Sequence, residues 1–230
     1  MSIEAVLFDF NGVVIDDEPV HCDAFREVLT PRGIEFTDAE YYGPLLGIPD
    51  REFLKRLLVL RGASLPADQF EEILATKSGL YNQWVTQRDV DNPGLRDFVR
   101  ELAAHVPLGV VSGALRPEIE FHLDRLGLGD LFRVLVAAGE YEATKPDPAP
   151  YQVGLRKLSA AVGRELDPAR VIAVEDSTHG VTSARAAGMG VVGFCGRIAP
   201  ERLHGSFLLV ENFTGLAFAG LNQAFCEAFS

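Results

Sequence analysis

Positive charge is in short supply in this chain. Its 230 residues carry 21 lysines and arginines against 33 aspartates and glutamates, a formal net charge of −12 at pH 7. Duplex nucleic acid and anionic membrane both select for basic surface, so neither is expected as a partner. A local basic site for an anionic small molecule remains open. Cysteine is scarce as well. Cys22, Cys195 and Cys226 are too few and too scattered for a disulfide framework or a zinc site, and they read as reduced thiols of a cytoplasmic protein. No uninterrupted apolar run approaches the length needed to span a bilayer. The opening residues show no basic start followed by a signal-type apolar stretch. Internal repeats and low-complexity segments are missing too.

Apolar residues are plentiful, at 47% of the chain. That is enough to bury a substantial core in one large domain, or in a domain with a modest second lobe. Short apolar or β-branched runs recur at Ala5–Phe10, Leu108–Ser112, Val134–Ala137, Val171–Val174 and Val191–Phe194, with a weaker one at Phe207–Val210. Runs of this length and composition read as buried strands. Between them, Pro93–His105, Pro117–Leu126, Pro148–Ala161 and Gly180–Ala187 carry helical pattern, most of them opening on the proline that a first helical turn tolerates. The alternation predicts an α/β fold with a parallel sheet and right-handed crossovers.

Residues 16–92 break the alternation. They hold no convincing strand, and their apolar positions fall at helical spacing, as in Phe53, Leu54, Leu57 and Leu58 and again Ile73 and Leu74. Pro31-Arg32-Gly33, Gly43-Pro44 and Leu65-Pro66 punctuate the segment. The simplest organisation is a helical lobe over 16–92 inserted after the first strand, with the α/β core made from 1–15 and 93–230.

Four patches fall at the predicted C-terminal ends of strands: Asp9-Phe10-Asn11-Gly12, Val111-Ser112-Gly113, Lys145-Pro146-Asp147 and Glu175-Asp176-Ser177. In open parallel sheets such ends converge on one crevice. Asp9 supplies a nucleophilic oxygen. Asp176, with Glu175, supplies hard anionic oxygen for Mg²⁺. Ser112 and the amide of Gly113 suit phosphoryl oxygens, and Lys145 adds positive charge. Together they describe phosphoryl transfer, in which positioning and charge neutralisation carry most of the catalysis.

These patches, in this order and with the insertion in this place, resemble the haloacid dehalogenase-like (HAD) superfamily, in its β-phosphoglucomutase and phosphoglycolate-phosphatase-like branch. Val6-Leu7-Phe8-Asp9-Phe10-Asn11-Gly12-Val13-Val14 resembles the first motif, Asp16-Asp17-Glu18-Pro19 the hinge into the cap, and Asp176-Ser177-Thr178-His179-Gly180 with Ala186-Ala187-Gly188-Met189 the fourth motif. The resemblance covers essentially the whole chain. It implies a Rossmann-like core with an all-helical cap, and a Mg²⁺-dependent phosphatase acting on a small phosphorylated metabolite. It implies that Asp9 becomes an aspartyl-phosphate, and that Mg²⁺ is held by Asp9, the main-chain carbonyl of Asn11 and Asp176. Glu175 would join the metal site through metal-bound water or balance the charge of Lys145. Ser112, Gly113 and Lys145 would bind the phosphoryl group.

One acid is missing where the family usually has it. Asn11 occupies the position of an aspartate that protonates the leaving oxygen and then activates the attacking water or hydroxyl. An amide hydrogen-bonds but does not trade protons in the working range. Losing such help costs about 10²–10⁴-fold, so slow turnover is expected, with His21, Glu18 and Asp17 as the nearest titratable substitutes. The alternatives are a phospho-ligand-binding or regulatory protein with little turnover, and a sugar phosphomutase; a carbon–chlorine dehalogenase would leave Asp176 without a purpose. In the cap, Gly47-Ile48-Pro49-Asp50-Arg51 resembles a specificity loop, with Arg51 and His21 as candidate substrate contacts. Tyr81 and Trp84 read as cap packing. The chain is expected to be a monomer or a weak homo-oligomer.

Overall fold

A computed structural model describes Ser2–Phe229. The chain divides into two compact units, Asp17–Val90 and the remainder. In the larger unit six parallel strands, β1 (Ala5–Phe8), β2 (Leu108–Val111), β3 (Phe132–Val136), β4 (Val171–Glu175), β5 (Gly190–Phe194) and β6 (Leu208–Val210), form one sheet in the order β3-β2-β1-β4-β5-β6. It is therefore a Rossmann-like α/β fold. The order reverses at β1, where the chain leaves one half of the sheet for the other, and ligand crevices of open α/β sheets form at such points.

Position in the sheet explains the strand sequences. β1 and β4 are buried along their whole length, and both read as unbroken apolar runs except for the terminal Glu175. Strands covered on both faces lose the polar alternation of half-exposed ones. Leu7 lies opposite Gly109 on β2 and Ala173 on β4. The helices of this unit are α5 (Leu95–Ala103), α6 (Arg116–Leu126), α7 (Ala149–Val162), α8 (Thr178–Ala186) and α9 (Phe218–Ala228). Helix α7 lies against β2 and β3. Its Gly154 permits the approach, since a Cβ there would meet Val111 Cγ2 at 2.7 Å and Leu7 Cδ1 at 3.2 Å. The first strand is shorter than its sequence suggests. It ends at Phe8, although the Asp9 amide still donates to the Val174 carbonyl at 2.9 Å. Asp9 is thus the last residue in register with β4, and Phe10 belongs to the turn, where its carbonyl accepts from the amides of Val14 (2.7 Å) and Ile15 (3.1 Å).

The smaller unit is helical, with α1 (Glu18–Leu29), α2 (Asp38–Tyr41), α3 (Asp50–Leu60) and α4 (Ala67–Val85). Pro19 sits in the first turn of α1, where no N–H is needed. Thr37 and Glu40 form a reciprocal capping box on α2. The apolar residues at helical spacing converge here: Phe25 stacks on Phe53 at 4.2 Å, and Leu54, Leu57 and Ile73 complete the core. No described helix is long and apolar enough to cross a membrane. All three cysteines are free thiols.

Candidate active site

The parallel strands deliver their C-terminal residues to one end of the larger unit. Lys145 is the hub. Its ammonium donates to Asp9 Oδ1 at 2.7 Å, Glu175 Oε1 at 2.6 Å and the Val111 carbonyl at 3.0 Å, so all four patches read from the sequence meet at one nitrogen. Val111 precedes Ser112, which is buried, and the Ser112 hydroxyl accepts from the Ala114 amide at 3.0 Å. Gly113 follows in the same loop, where a Cβ would meet only the Tyr141 hydroxyl at 3.8 Å. One carboxylate oxygen from each of Asp9, Glu175 and Asp176 lies within 4.8 Å of the others.

Local chemistry holds these groups in place. Asp176 stands against Gly12, whose φ is +81° and whose added Cβ would fall 1.9 Å from Asp176 Oδ2. Ser177 caps α8 by accepting from the Gly180 amide at 3.0 Å, which fixes the loop just after Asp176. Glu175 is fully buried, and both of its oxygens are occupied. Oε1 accepts from Lys145 and from the Tyr151 hydroxyl at 2.8 Å, while Oε2 accepts from the Ser177 amide (3.3 Å) and hydroxyl (3.1 Å). Asn11 lies in the turn two residues after Asp9 and forms an isolated bridge with Ile15.

Burial and charge compete at this cluster. Desolvation pushes the Asp9 carboxyl up to about 7, against the pull of the Lys145 ammonium. Burial also opposes the charge on Lys145, but the nearby Asp9 and Glu175 carboxylates outweigh it and raise the lysine above its ordinary value. Lys145 therefore stays charged, and a second cation would find in Asp9 and Asp176 hard oxygen ligands of the kind Mg²⁺ takes. Glu175, engaged on both oxygens, serves first as the lysine's anchor.

The remaining sequence candidates lie in the helical unit. His21, on α1, stacks on Tyr81 at 4.0 Å and contacts Asp17 at 3.3 Å. Arg51, on α3, forms a two-pronged pair with Glu71 at 2.6 and 2.7 Å on the surface and lies over Phe70. Tyr81 packs in the unit as its sequence position suggests, while Trp84 carries Arg88 over its ring at 4.7 Å. Sequence reasoning passed over Tyr151, whose ring lies 4.9 Å from the Lys145 ammonium and whose hydroxyl anchors Glu175. The one available signal was its place on the helix that opens directly after Lys145-Pro146. Lys77 and Asp50 were also passed over as a pair. Twenty-seven positions apart, they meet at 2.8 and 2.9 Å through the tertiary fold of the helical unit.

Comparison with known proteins fits this geometry. The family model for haloacid dehalogenase-like hydrolase matches residues 3–188. A phosphorylated carbohydrates phosphatase of Thermotoga maritima is 28% identical, over 81% of this chain and 82% of its own. A β-phosphoglucomutase of Bacillus subtilis is 28% identical, over 83% of each chain. Among solved structures, an Asp-to-Asn mutant of CbbY from Rhodobacter sphaeroides, in complex with xylulose 1,5-bisphosphate, superposes with a TM-score of 0.75 at 26% identity, covering 96% of this chain and 99% of that one.

Proposed function

Because this chain belongs to the haloacid dehalogenase-like hydrolases, we propose that it is a Mg²⁺-dependent phosphatase of a small phosphorylated sugar, slowed by the amide at Asn11. The observation that carries the reading is the single ammonium of Lys145 gripping Asp9 and Glu175 beside Asp176. The likeness to relatives that act on phosphorylated carbohydrates supports the substrate class.

In this reading Lys145 pins one oxygen of Asp9 and leaves the other to attack phosphorus. A new bond forms between that oxygen and phosphorus, and the bond to the sugar oxygen breaks. The Ser112 hydroxyl and the Gly113 amide hold the phosphoryl oxygens. Glu175, tethered by Tyr151 and Ser177, keeps the lysine from following Asp9 when the carboxylate becomes an ester. Asp9, Asp176 and the main-chain carbonyl of Asn11 would hold Mg²⁺, which neutralises phosphoryl charge when bound. The departing alkoxide needs a proton, and the water that later frees Asp9 must lose one. Asn11 does neither, so both half-reactions depend on solvent or another group.

The test is a panel of sugar phosphates assayed with and without Mg²⁺, on the wild-type chain and Asn11→Asp together. The variant should hydrolyse the preferred ester at least about tenfold faster. An activated phosphate, whose leaving group needs little acid help, should add one phosphoryl group to the wild-type chain by intact mass, and none to Asp9→Ala. Rapid wild-type turnover without any adduct would sink the covalent route. Phosphate that moves between sugar hydroxyls without release would make the protein a mutase. Binding with negligible turnover in both chains would leave a phospho-ligand-binding protein.

A further inference from the structure

The loop that follows β2 is held almost peptide by peptide. The Val111 carbonyl accepts from the Lys145 ammonium at 3.0 Å, and the Ser112 amide donates to the Val136 carbonyl at 2.9 Å. The Ala114 amide donates to the Ser112 hydroxyl at 3.0 Å, and the Ala114 carbonyl accepts from the Ala138 amide at 2.9 Å. Between these anchors stands the peptide that joins Ser112 to Gly113. Among the described residues nothing accepts from its N–H. Its carbonyl accepts from the Tyr141 hydroxyl at 3.1 Å.

A trans peptide is planar, with its carbonyl and its N–H on opposite edges. A donor fixed on the carbonyl therefore fixes the direction of the N–H. The bond matters here because the second residue of the peptide is glycine. Turning the peptide over carries φ of that residue from the negative to the positive side, as type I and type II turns differ. Gly113 rests outside the left-handed region, and glycine is the residue that enters that region without steric cost. Sterics leave the flip open, and the phenol opposes it. Tyr141 is itself well anchored. The carboxylate of the preceding Glu140 is gripped by Arg116 at 2.6 Å and by Lys157, and its amide donates to the Ala137 carbonyl at 3.2 Å. Burial pushes the Tyr141 phenol above its ordinary value, so the hydroxyl keeps the proton it donates. All of these groups belong to the α/β unit.

Resting on the phosphatase reading above, we propose that Tyr141 is a positioning residue: by holding the Ser112 carbonyl it keeps the Gly113 N–H turned toward the phosphoryl oxygens and stops the peptide from presenting its carbonyl to them. A carbonyl in that place would repel an anion, so the lock makes a pliable Ser-Gly link into a preorganised donor. The phenol acts through the peptide and not on the reacting atoms.

The experiment uses the full chain with inorganic phosphate and Mg²⁺ as the probe, and compares wild type, Tyr141→Phe, Gly113→Ala and the double variant. Affinity is read by calorimetry. The Gly113 amide is read by NMR of protein made with isotopically labelled glycine, its signal assigned by loss in Gly113→Ala. In wild type, phosphate should move that signal saturably. In Tyr141→Phe the signal should broaden or split, and phosphate affinity should fall about tenfold, less than the 10²–10³-fold cost of removing such a donor outright. Alanine resists the positive φ of the flipped peptide, and a Cβ at Gly113 would meet only the Tyr141 hydroxyl at 3.8 Å. In the Gly113→Ala background the tyrosine substitution should therefore cost less than about threefold, a coupling that general loosening of the loop would not produce. With Asn11→Asp as the kinetic host, Tyr141→Phe should lower kcat/KM on the preferred ester by about tenfold. Unchanged phosphate affinity in Tyr141→Phe, or an equal loss in both backgrounds, would overturn the proposal. So would a Gly113 signal that phosphate leaves unmoved. If no ester turns over even in Asn11→Asp, the phosphatase reading falls, while phosphate affinity and the glycine signal still decide the lock.

Discussion

Two lysines, one in each unit, are both drawn out of solvent and both paired, yet their surroundings push them in opposite directions. The side chain of Lys145 is 16% exposed and that of Lys77 is 1% exposed. Lys145 faces two carboxylates, Asp9 and Glu175, and its affinity for the proton rises despite burial. Lys77 is hydrogen-bonded to the Asp50 carboxylate and to His21 Nδ1, with Glu18 and Asp17 nearby and two aromatic rings over it; burial dominates over these carboxylates and its proton affinity falls. The balance between desolvation and the carboxylates in direct contact, two at Lys145 and one at Lys77, decides the sign. The core lysine is a fixed positive charge in a site built to handle anions. The helical-unit lysine is a spent charge that holds Asp50 and His21 in place.

Replacing each lysine by methionine should separate these roles most sharply. Lys145→Met removes a charge aimed at the reacting group, and phosphatase kcat should drop by about 10²–10³-fold, the scale seen when one preorganised electrostatic contact is lost. It also strands two carboxylates side by side, which should cost about 3–5 kcal/mol in urea unfolding. Lys77→Met leaves Asp50, which is 39% exposed, free to rehydrate. Its stability loss should be smaller, about 1–3 kcal/mol, and kcat should fall far less than in Lys145→Met. Equal kcat losses in the two variants would dissolve the distinction.

The pH dependence of stability sharpens it further. In metal-free protein the Asp9 carboxyl is raised from 3.8 to about 7 by burial. Between those values the folded chain retains a proton that the unfolded chain has released, so this group's contribution to stability falls as pH rises through that window and levels off above it. Urea unfolding in a chelator should show the slope in wild type and lose it in Asp9→Asn. Added Mg²⁺ should reverse its sense, with stabilisation weakening as pH falls below about 7, because the proton competes for the same oxygen. A flat difference between the two chains would mean that Asp9 is ionised throughout.

The smallest contrast concerns the tyrosines that brace each cluster. Tyr151→Phe removes the 2.8 Å bond to Glu175, and Tyr81→Phe removes the 2.6 Å bond to Asp17. Each should cost about 1–3 kcal/mol of stability, since each leaves a buried carboxylate one donor short. Only Tyr151→Phe should lower kcat.

Much of the core was legible before any coordinates, for a physical reason. In a parallel sheet every strand points its C-terminus the same way, so residues at strand ends are neighbours however far apart in sequence. Asp9 and Glu175 follow from that rule, while Lys145, in the loop after β3, stood out through its charge and the family resemblance. The rule runs out within helices. Tyr151 sits in an ordinary amphipathic pattern, and nothing in sequence says that its hydroxyl turns toward Glu175. The Lys77–Asp50–His21 cluster draws on three helices whose packing angles no linear spacing encodes, so Arg51 stood out while its quieter neighbour Asp50 did not. The first strand was read two residues too long because Phe10 is as apolar as Phe8; its backbone turns there to bring Gly12 toward Asp176.

That turn has an evolutionary consequence. At residue 12 the chain needs an absence: the volume a methyl group would fill belongs to the carboxylate of Asp176. The spacing between the first and fourth loops is thereby set by a missing atom, and any heavier residue would pry them apart. Substitution at this one position should therefore be resisted whichever residue stands at position 11.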